Sequence, residues 1–413
     1  MTREWAPLVI LAATACASRA HPGPTAPVPA LNPDWHPVMS LLDSAVSAGA
    51  APGAVLAVTH DGRHFVYGTG QIGADEPEAP GPSTIYDLAS LTKVVGLTPA
   101  AMLAVSEGKL DLEAPVQRYV PAFAGPEKER VTVRTLLAHV SGLPAWRPLF
   151  REVENRAEAF ALVDTTPLES LPGTRDVYSD LGAIVLTQAI ESVYHERIDS
   201  LLERRVFQPL GMTSTRFLPP LEWQERIAPT ELDPGRGRVL RGEVHDENAA
   251  VMGGVSGHAG LFGSAEDLLV FADWVLEQAD RRTGGQADRQ TDRQAEYSHR
   301  ALQPEQAGPT ARPSVRPSIL REFTRRQDLV PGSSRALGWD TPSPGSSAGT
   351  LFSPSSFGHT GFTGTSLWVD SEHHLAIVLL SNRVNPTRDN PRWAPLRAKI
   401  ADLVMTTLFE DAR

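Results

Sequence analysis

Ser90 and Lys93 stand three positions apart in the tetrad Ser90-Leu91-Thr92-Lys93. On a helix the i and i+3 side chains share a face, so this spacing sets a hydroxyl beside an amine able to take its proton. That pairing points to acyl transfer, because an isolated serine is a weak nucleophile and needs an adjacent base. The stretch before it, Thr84 to Ala89, reads as extended chain or a turn, and Val94 through Ala104 reads as a largely apolar, buried helix. A nucleophile at such a junction is held rigidly, and the helix N-terminus favours developing negative charge. Taken alone the tetrad is a weak signal, since most occurrences are a helix cap followed by a solvated amine. Here the lysine sits where the helix is otherwise nearly all apolar, and a charge in that position needs a partner or a task.

Two further segments supply what the pair lacks. Tyr178-Ser179-Asp180 precedes the apolar helical pattern Ala183-Ile184-Val185-Leu186, and His359-Thr360-Gly361 leads into the strand-like Ser366-Leu367-Trp368-Val369. By itself the stretch from Gly358 to Gly364 is a hairpin turn; with the upstream pair it reads as a catalytic strand. The three segments in this order resemble the penicillin-recognising serine hydrolases: class C beta-lactamases, low-molecular-weight D-Ala-D-Ala carboxypeptidases and their esterase relatives. The resemblance extends through Leu136-Leu137-Ala138-His139-Val140-Ser141-Gly142-Leu143, Phe207-Gln208-Pro209-Leu210-Gly211-Met212 and Gly257-His258-Ala259-Gly260-Leu261-Phe262. It covers nearly all of the mature chain. The subgroup it looks most like is the penicillin-binding-protein-4B-like hydrolases, which share the stretch from Arg241 to Asn248.

What the resemblance implies can be placed residue by residue. Ser90 is the acylated nucleophile, Lys93 the main candidate for its general base, and Tyr178 the phenol that shuttles a proton between nucleophile, leaving group and water. Lys93 and Tyr178 are to be treated as one coupled set. The backbone amides of Ser90 and Phe362 form the oxyanion hole. Thr360 donates to a substrate carboxylate or carbonyl, and Gly361 lets the strand approach the ligand closely. Two positions depart from the family pattern. His359 stands where many relatives carry lysine, which is expected to make the charge of the site depend on pH near neutrality. Asp180 replaces the commoner asparagine; an ionised carboxylate only accepts, so it should bind Lys93 more strongly and weaken the contact with a beta-lactam or peptide carbonyl.

The segment from Arg241 to Phe262 concentrates Glu243, His245, Asp246, Glu247, Asn248 and His258 with Gly253, Gly254, Gly257 and Gly260. It reads as a substrate-facing loop, which adds His245 and His258 to Asp180, His359, Thr360 and Gly361 as candidate substrate contacts. Its spacing carries no zinc signature, so neither a metal nor a cofactor is expected. His139 reads as structural, fixing a turn at the border of the helical region.

At the N-terminus Arg3 precedes the apolar run Trp5 to Ala13, long enough for a secretory h-region and too short to span a bilayer. Cys16, the only cysteine, follows Ala13-Thr14-Ala15 in an approximate lipoprotein box; lipidation there would anchor the chain to a membrane, and a cut near Ala15 or Ala20 would release it. Either way the expectation is an exported protein at the periplasm or cell surface, with no internal disulfide. Residues 1–20 are read as the leader and 21–37, rich in proline and alanine, as a tether. The net charge of -11 argues against a nucleic-acid binder. The oligomeric state is not legible.

Positioning these residues requires a scaffold. A helix around Val38 to Ala48 precedes strands at Gly53 to Thr59 and His64 to Tyr67, joined by the turn signal Asp61-Gly62. A late hairpin, Ser366 to Val369 and His374 to Leu380, precedes a helix from about Pro395 to Phe409. The predicted class is an α/β fold of the α+β kind, beta-lactamase/transpeptidase-like: an antiparallel sheet flanked by terminal helices, with a mostly helical region inserted. The catalytic domain is 38–413, with the sheet part at about 38–85 and 350–413 and the helical part at about 95–345. The active site is expected in the cleft between them. Residues 279–317, with few large apolar side chains, are predicted to be a disordered insertion. The expected activity is serine hydrolysis of a cell-wall-type D-Ala peptide or a beta-lactam-like amide. A carboxylesterase and a noncatalytic envelope ligand-binding protein are the alternatives.

Overall fold

Strand residues alternate between the two faces of a sheet, so a strand that is apolar at nearly every position must be covered on both. Gly53–His60 and Leu375–Ser381 are such runs, and every residue in them but His60 is buried. The computed structural model, which describes residues 33–280 and 312–409, supplies the two coverings. In chain order the elements are α1 (His36–Ser47), β1 (Gly53–His60), β2 (Arg63–Gly70), β3 (Ile85–Asp87), α2 (Thr98–Ser106), α3 (Val133–Leu137), α4 (Arg156–Thr165), α5 (Asp180–Tyr194), α6 (Ile198–Leu202), α7 (Gln208–Leu210), β4 (Arg216–Phe217), β5 (Leu232–Asp233), β6 (Arg238–Val239), α8 (Glu247–Val251), β7 (Leu261–Ser264), α9 (Ala265–Asp280), α10 (Pro317–Thr324), β8 (Phe357–Thr360), β9 (Ser366–Asp370), β10 (Leu375–Ser381) and α11 (Ala394–Phe409).

Five strands form one antiparallel sheet in the order β2-β1-β10-β9-β8. The pairing of β1 with β10, Val55 opposite Leu380 and Ala57 opposite Val378, joins the early and late parts of the chain. Val55, Ala57, Val378 and Leu380 point into the core shared with the helical region, whereas Ala54, Leu56, Val58, Ile377 and Leu379 point to the opposite face. There they meet Val38 and Leu42 of α1 and Leu396, Ile400 and Val404 of α11. The predicted architecture therefore stands: antiparallel sheet, terminal helices on one face, helical region on the other. Full burial of a leucine or valine side chain stabilises by roughly 1.5–3 kcal/mol, so this two-sided burial is what fixes the register of β1 and β10.

Two predicted boundaries move inward. Trp35 stacks on Phe65 at 4.0 Å and His36 opens α1, so the last residues assigned to the tether belong to the packed fold. Ala279 and Asp280 close α9, and beyond the gap Val315 is buried and Pro313 O accepts from Trp274 Nε1 at 2.8 Å. Both ends of the predicted insertion are thus tied down, because each has a large buried aromatic or aliphatic group to pack against. The leader with Cys16, most of the tether and the central part of that insertion lie outside the described residues. Among the described residues no helix is long and apolar enough to cross a membrane.

Candidate active site

Ser90 sits where a strand gives way to a helix. β3 ends at Asp87, Ala89 takes a left-handed backbone conformation (φ 47°), and Lys93 N–H donates to Ser90 O at 3.0 Å to open a helix. Its first full turn, Lys93–Leu97, is wound as a π-helix before continuing as α2. A residue with a Cβ is strained at such a φ and stays there only when its surroundings hold it. Buried Asp87 does so: one carboxylate oxygen accepts the Ala89 N–H at 2.8 Å and the other the His245 N–H at 2.7 Å.

Three side chains converge at Ser90. Tyr178 Oη donates to Ser90 Oγ at 2.9 Å, and Lys93 Nζ donates to the same oxygen at 3.2 Å. Lys93 Nζ also donates to His258 O at 2.9 Å and lies 2.7 Å from Asp180 Oδ1, an ion-pair distance whose angle is poor for a hydrogen bond. An ammonium has three protons, and three acceptors surround this one. Burial opposes the charge on Lys93, but Asp180 and Tyr178 outweigh it and hold the pKa above the ordinary lysine value. Burial likewise raises the phenol of Tyr178, against the opposing pull of Lys93. The resting site is therefore an ammonium beside a neutral phenol. Lys93 in this form has no lone pair for the Ser90 proton, so it acts as a base only after the coupled set has lost a proton.

A pH dependence follows. Asp180→Asn removes the charge that raises Lys93, so the rise of kcat/KM with pH should move to lower pH by about one unit, equivalent to ~1.4 kcal/mol of differential interaction. A kcat/KM–pH profile on both proteins checks it. An unmoved or upward-shifted limb contradicts the assigned coupling.

Helix α5 carries Asp180 at its first position, capped by Ser179, whose Oγ accepts the Gly182 N–H at 3.1 Å and donates to Pro144 O at 2.6 Å. His139, expected to be structural, pins the tyrosine loop: its Nδ1 accepts the Ser179 N–H at 3.1 Å and its carbonyl accepts the Val177 N–H at 2.9 Å. Burial, then Arg335 and Lys93, keep its pKa well below the ordinary histidine value, so that nitrogen stays free to accept.

The third segment arrives on β8, and the turn beyond it closes on the loop that carries Ser90. Thr363 Oγ1 donates to Asp87 O at 2.7 Å and Thr365 Oγ1 to Leu88 O at 3.0 Å. Gly361 is required here, since a Cβ would stand 2.5 Å from Leu88 O and collide with Thr365. The amides of Ser90 and Phe362 donate to no protein acceptor among the described residues, which leaves both free for a developing oxyanion.

His359 lies 5.6 Å from the Tyr178 ring, but its expected charge behaviour is corrected. Burial, with Lys93 and Arg335 nearby, pushes its pKa down to about 3. It is neutral throughout the physiological range. Its Nδ1 lies 2.7 Å from Thr360 O, a group that can only accept, so Nδ1 carries the proton and Nε2 is left as an acceptor. Where a lysine would be a fixed cation, this ring is a neutral one.

The segment from Arg241 to Phe262 also differs from expectation: none of it lines the cleft at Ser90. His258 is buried with Nδ1 at 2.7 Å from Ser256 Oγ and Nε2 at 3.0 Å from Asp246 Oδ1, and only its carbonyl serves the site, through Lys93. His245 is buried against Glu231, 2.9 Å away, and stacks beneath Phe362 at 5.7 Å. Both histidines support the machinery from behind, because each finds a carboxylate partner inside the fold. Asp180 does not line the cleft either, being turned to Lys93. Among the described residues no three His, Cys, Asp or Glu side chains are grouped to share a metal ion.

The cleft has a volume of about 690 Å³ and is lined by Ser90, Tyr178, His359, Thr360, Gly361 and Phe362, together with arginines that no spacing pattern singled out: Arg335, Arg383 and Arg397. Arg335 lies 5.5 Å from the Tyr178 ring and is paired with Asp176 and Asp340 at 3.4 and 3.8 Å. The other two form no ion pair among the described residues, although Glu231 acts on Arg383 through space. Arg383 donates to Arg388 O and Asn390 O, both at 3.1 Å, and Arg397 to Gly361 O at 2.7 Å and Thr365 O at 3.1 Å. Burial lowers both, Arg397 to about 10 with Arg383 contributing, while Glu231 partly offsets the effect on Arg383, so each remains a cation at neutral pH. They come from different elements, a strand exit and the last helix, and so formed no local motif.

Comparison with known proteins decides the family. The family model described as Beta-lactamase matches residues 39–402. The chain belongs to the beta-lactamase family. It is an enzyme of the serine hydrolase group built on that fold. Among similar sequences, “Putative D-alanyl-D-alanine carboxypeptidase” of Escherichia coli strain K12 is 30% identical over 372 residues, 82% of this chain and 78% of that one. Its namesake from Salmonella paratyphi B is 32% identical over 346 residues, 76% and 72% of the two chains. Among solved structures, the octameric penicillin-binding protein homologue from Pyrococcus abyssi superposes with a TM-score of 0.66 at 21% identity, covering 91% of this chain and 78% of that one. A class C beta lactamase superposes at 0.64 and 17% identity, covering 89% and 96%. At these identities the structures speak for the fold of this beta-lactamase family member, and its Ser90 site must be read from its own geometry.

Proposed function

We propose that this enzyme hydrolyses the amide bond next to a free carboxylate in a D-alanyl peptide, or the corresponding beta-lactam amide, through an acyl-enzyme on Ser90. The observation that carries this reading is the pair of half-buried guanidinium groups, Arg383 and Arg397, facing the nucleophile's cleft with no ion pair to a carboxylate among the described residues, Glu231 acting on Arg383 only at longer range. A substrate carboxylate supplies what they lack, and hydrogen bonds to charged groups are worth about 1.5–3 kcal/mol. A simple acyl ester has no such group, which favours the peptide reading over the carboxylesterase. The names of the similar carboxypeptidases agree with it.

In the first step, once the Lys93–Tyr178 set has lost a proton to solvent, Ser90 Oγ bonds to the carbonyl carbon while its proton passes into that set. The oxyanion forms against the Ser90 and Phe362 amides. As the C–N bond breaks, Tyr178 delivers a proton to the departing amine, and Lys93 restores it to the phenol. Water then enters by the same route reversed, regenerating Ser90 and releasing the acid. Asp180 holds the cation rather than the substrate carbonyl, so the contact with a beta-lactam or peptide carbonyl is weakened for both alike. A cell-wall substrate fits an exported enzyme, consistent with a leader at 1–20 and anchoring through Cys16.

The test is an acylated peptide ending in D-Ala-D-Ala, offered with a free C-terminal carboxylate and as its carboxamide. The free acid should be cleaved with a kcat/KM at least about tenfold higher, the factor that ~1.4 kcal/mol of charge recognition gives. Equal rates, or turnover of p-nitrophenyl acetate far above both peptides, would favour the esterase.

A further inference from the structure

Acyl transfer at Ser90, the reading on which this inference rests, needs two amide donors aimed at one oxygen, and they come from different loops. The Ser90 amide follows β3 and the Phe362 amide follows β8. Such donors act only when already in place as the charge develops, so the two loops must be held at a fixed spacing. His245 stands between them. Its ring stacks on that of Phe362 with centroids 5.7 Å apart, and its backbone N–H donates to Asp87 Oδ2 at 2.7 Å. The other oxygen of that carboxylate accepts from Ala89, the left-handed residue that presents Ser90.

The imidazole is tethered. Burial opposes the charge on Glu231, but hydrogen bonds from Arg388 and His245 outweigh it and hold the pKa below the ordinary glutamate value, so this carboxylate is ionised and only accepts. His245 Nε2, 2.9 Å from Glu231 Oε2, therefore carries the proton. Arg388 fixes Glu231 in turn, its backbone N–H and Nε donating at 3.1 and 2.6 Å. Arg383 rests 4.7 Å from the Phe362 ring, and Glu231 acts on it as well. Folding alone does not account for the arrangement. Phe362 is 49% exposed, so its ring gains little by covering His245. A buried ion pair, moreover, is often no more stabilising than apolar groups filling the same space.

We infer that His245, oriented by Glu231, is a positioning residue that sets the Phe362 amide against the Ser90 amide. It does not line the cleft at Ser90, so it meets no substrate there. Its loss should therefore spare binding and slow the step in which charge reaches the oxygen. Displacing a donor should cost about ten- to a hundredfold in kcat, below the roughly 10²–10³ that removing one outright costs.

The experiment uses the full chain as wild type, His245→Ala and Glu231→Gln, the variants made separately so that a folding failure in one leaves the other to decide. Fluorophosphonate labelling counts the active sites, which keeps misfolded protein out of the rates. With a D-Ala-D-Ala peptide, kcat per site should fall at least about tenfold in each variant while KM stays within about threefold. The inhibition constant of phenylboronic acid should rise by a similar factor, because its adduct with Ser90 Oγ sets an anionic oxygen where the amides point. A smaller loss per site, a loss confined to KM, or an unchanged boronate constant overturns the inference. A wild-type enzyme that hydrolyses p-nitrophenyl acetate and no D-Ala peptide overturns the proposed function alone, and the same comparison on the ester then decides this one. No label on wild-type Ser90 overturns both.

Discussion

Ser90→Ala should lower kcat/KM for every acyl substrate by a factor on the order of 10⁴ to 10⁶, as loss of a serine nucleophile does where the remaining groups act only as a unit. The residue accepts from Tyr178 and Lys93 and lines the cleft, but its side chain holds no structural element together. Lys93 keeps its contacts with His258 O and Asp180 in the variant, so the thermal unfolding midpoint should move little. Initial rates with matched circular dichroism and melting curves check both halves. Turnover within tenfold of wild type would remove Ser90 from the reaction, whereas a large drop in melting temperature would make the loss one of folding.

Tyr178→Phe should be the second largest effect, a loss of about 10²–10⁴ in kcat/KM, the usual worth of a positioned general acid or base. The substitution deletes one oxygen and leaves the ring, which packs against His139 and His359 at 4.7 and 5.6 Å. The loop should therefore keep its shape. Because Tyr178 is assigned to protonate the departing nitrogen, the loss should be steep for an amide and shallow for an ester with a good leaving group such as p-nitrophenolate. Brønsted behaviour requires that difference. Equal losses on both would assign the phenol to positioning instead.

The convergence of Ser90, Lys93 and Tyr178 was legible in the sequence because local rules place them. A helical i,i+3 spacing brings Ser90 to Lys93, and a serine cap at the start of α5 sets Tyr178 just outside a helix. The sheet was legible for a similar reason: β1 and β10 are apolar at nearly every position, which demands a covered central pair. What it did not reveal is set by neighbours distant in sequence. His359 promised a charge that titrates near neutrality, but burial beside Lys93 and Arg335 keeps it neutral. His245 and His258 resembled substrate contacts until Glu231 and Asp246 were found to hold them inside the fold. Arg383 and Arg397 had no motif at all; their meaning appears only once the fold sets both on one cleft with no ion pair to a carboxylate among the described residues.

Intact-protein mass spectrometry of the wild-type chain and of Ser90→Ala, each exposed separately to a fluorophosphonate, a penicillin and a D-Ala-D-Ala peptide, bears on covalent catalysis itself. A single adduct, carried by the peptide containing Ser90 and absent from the variant, is the expected result for the fluorophosphonate and for at least one acyl donor. An adduct that persists in Ser90→Ala, or folded wild-type protein that acquires none from any of the three, would contradict an acyl-enzyme on that serine.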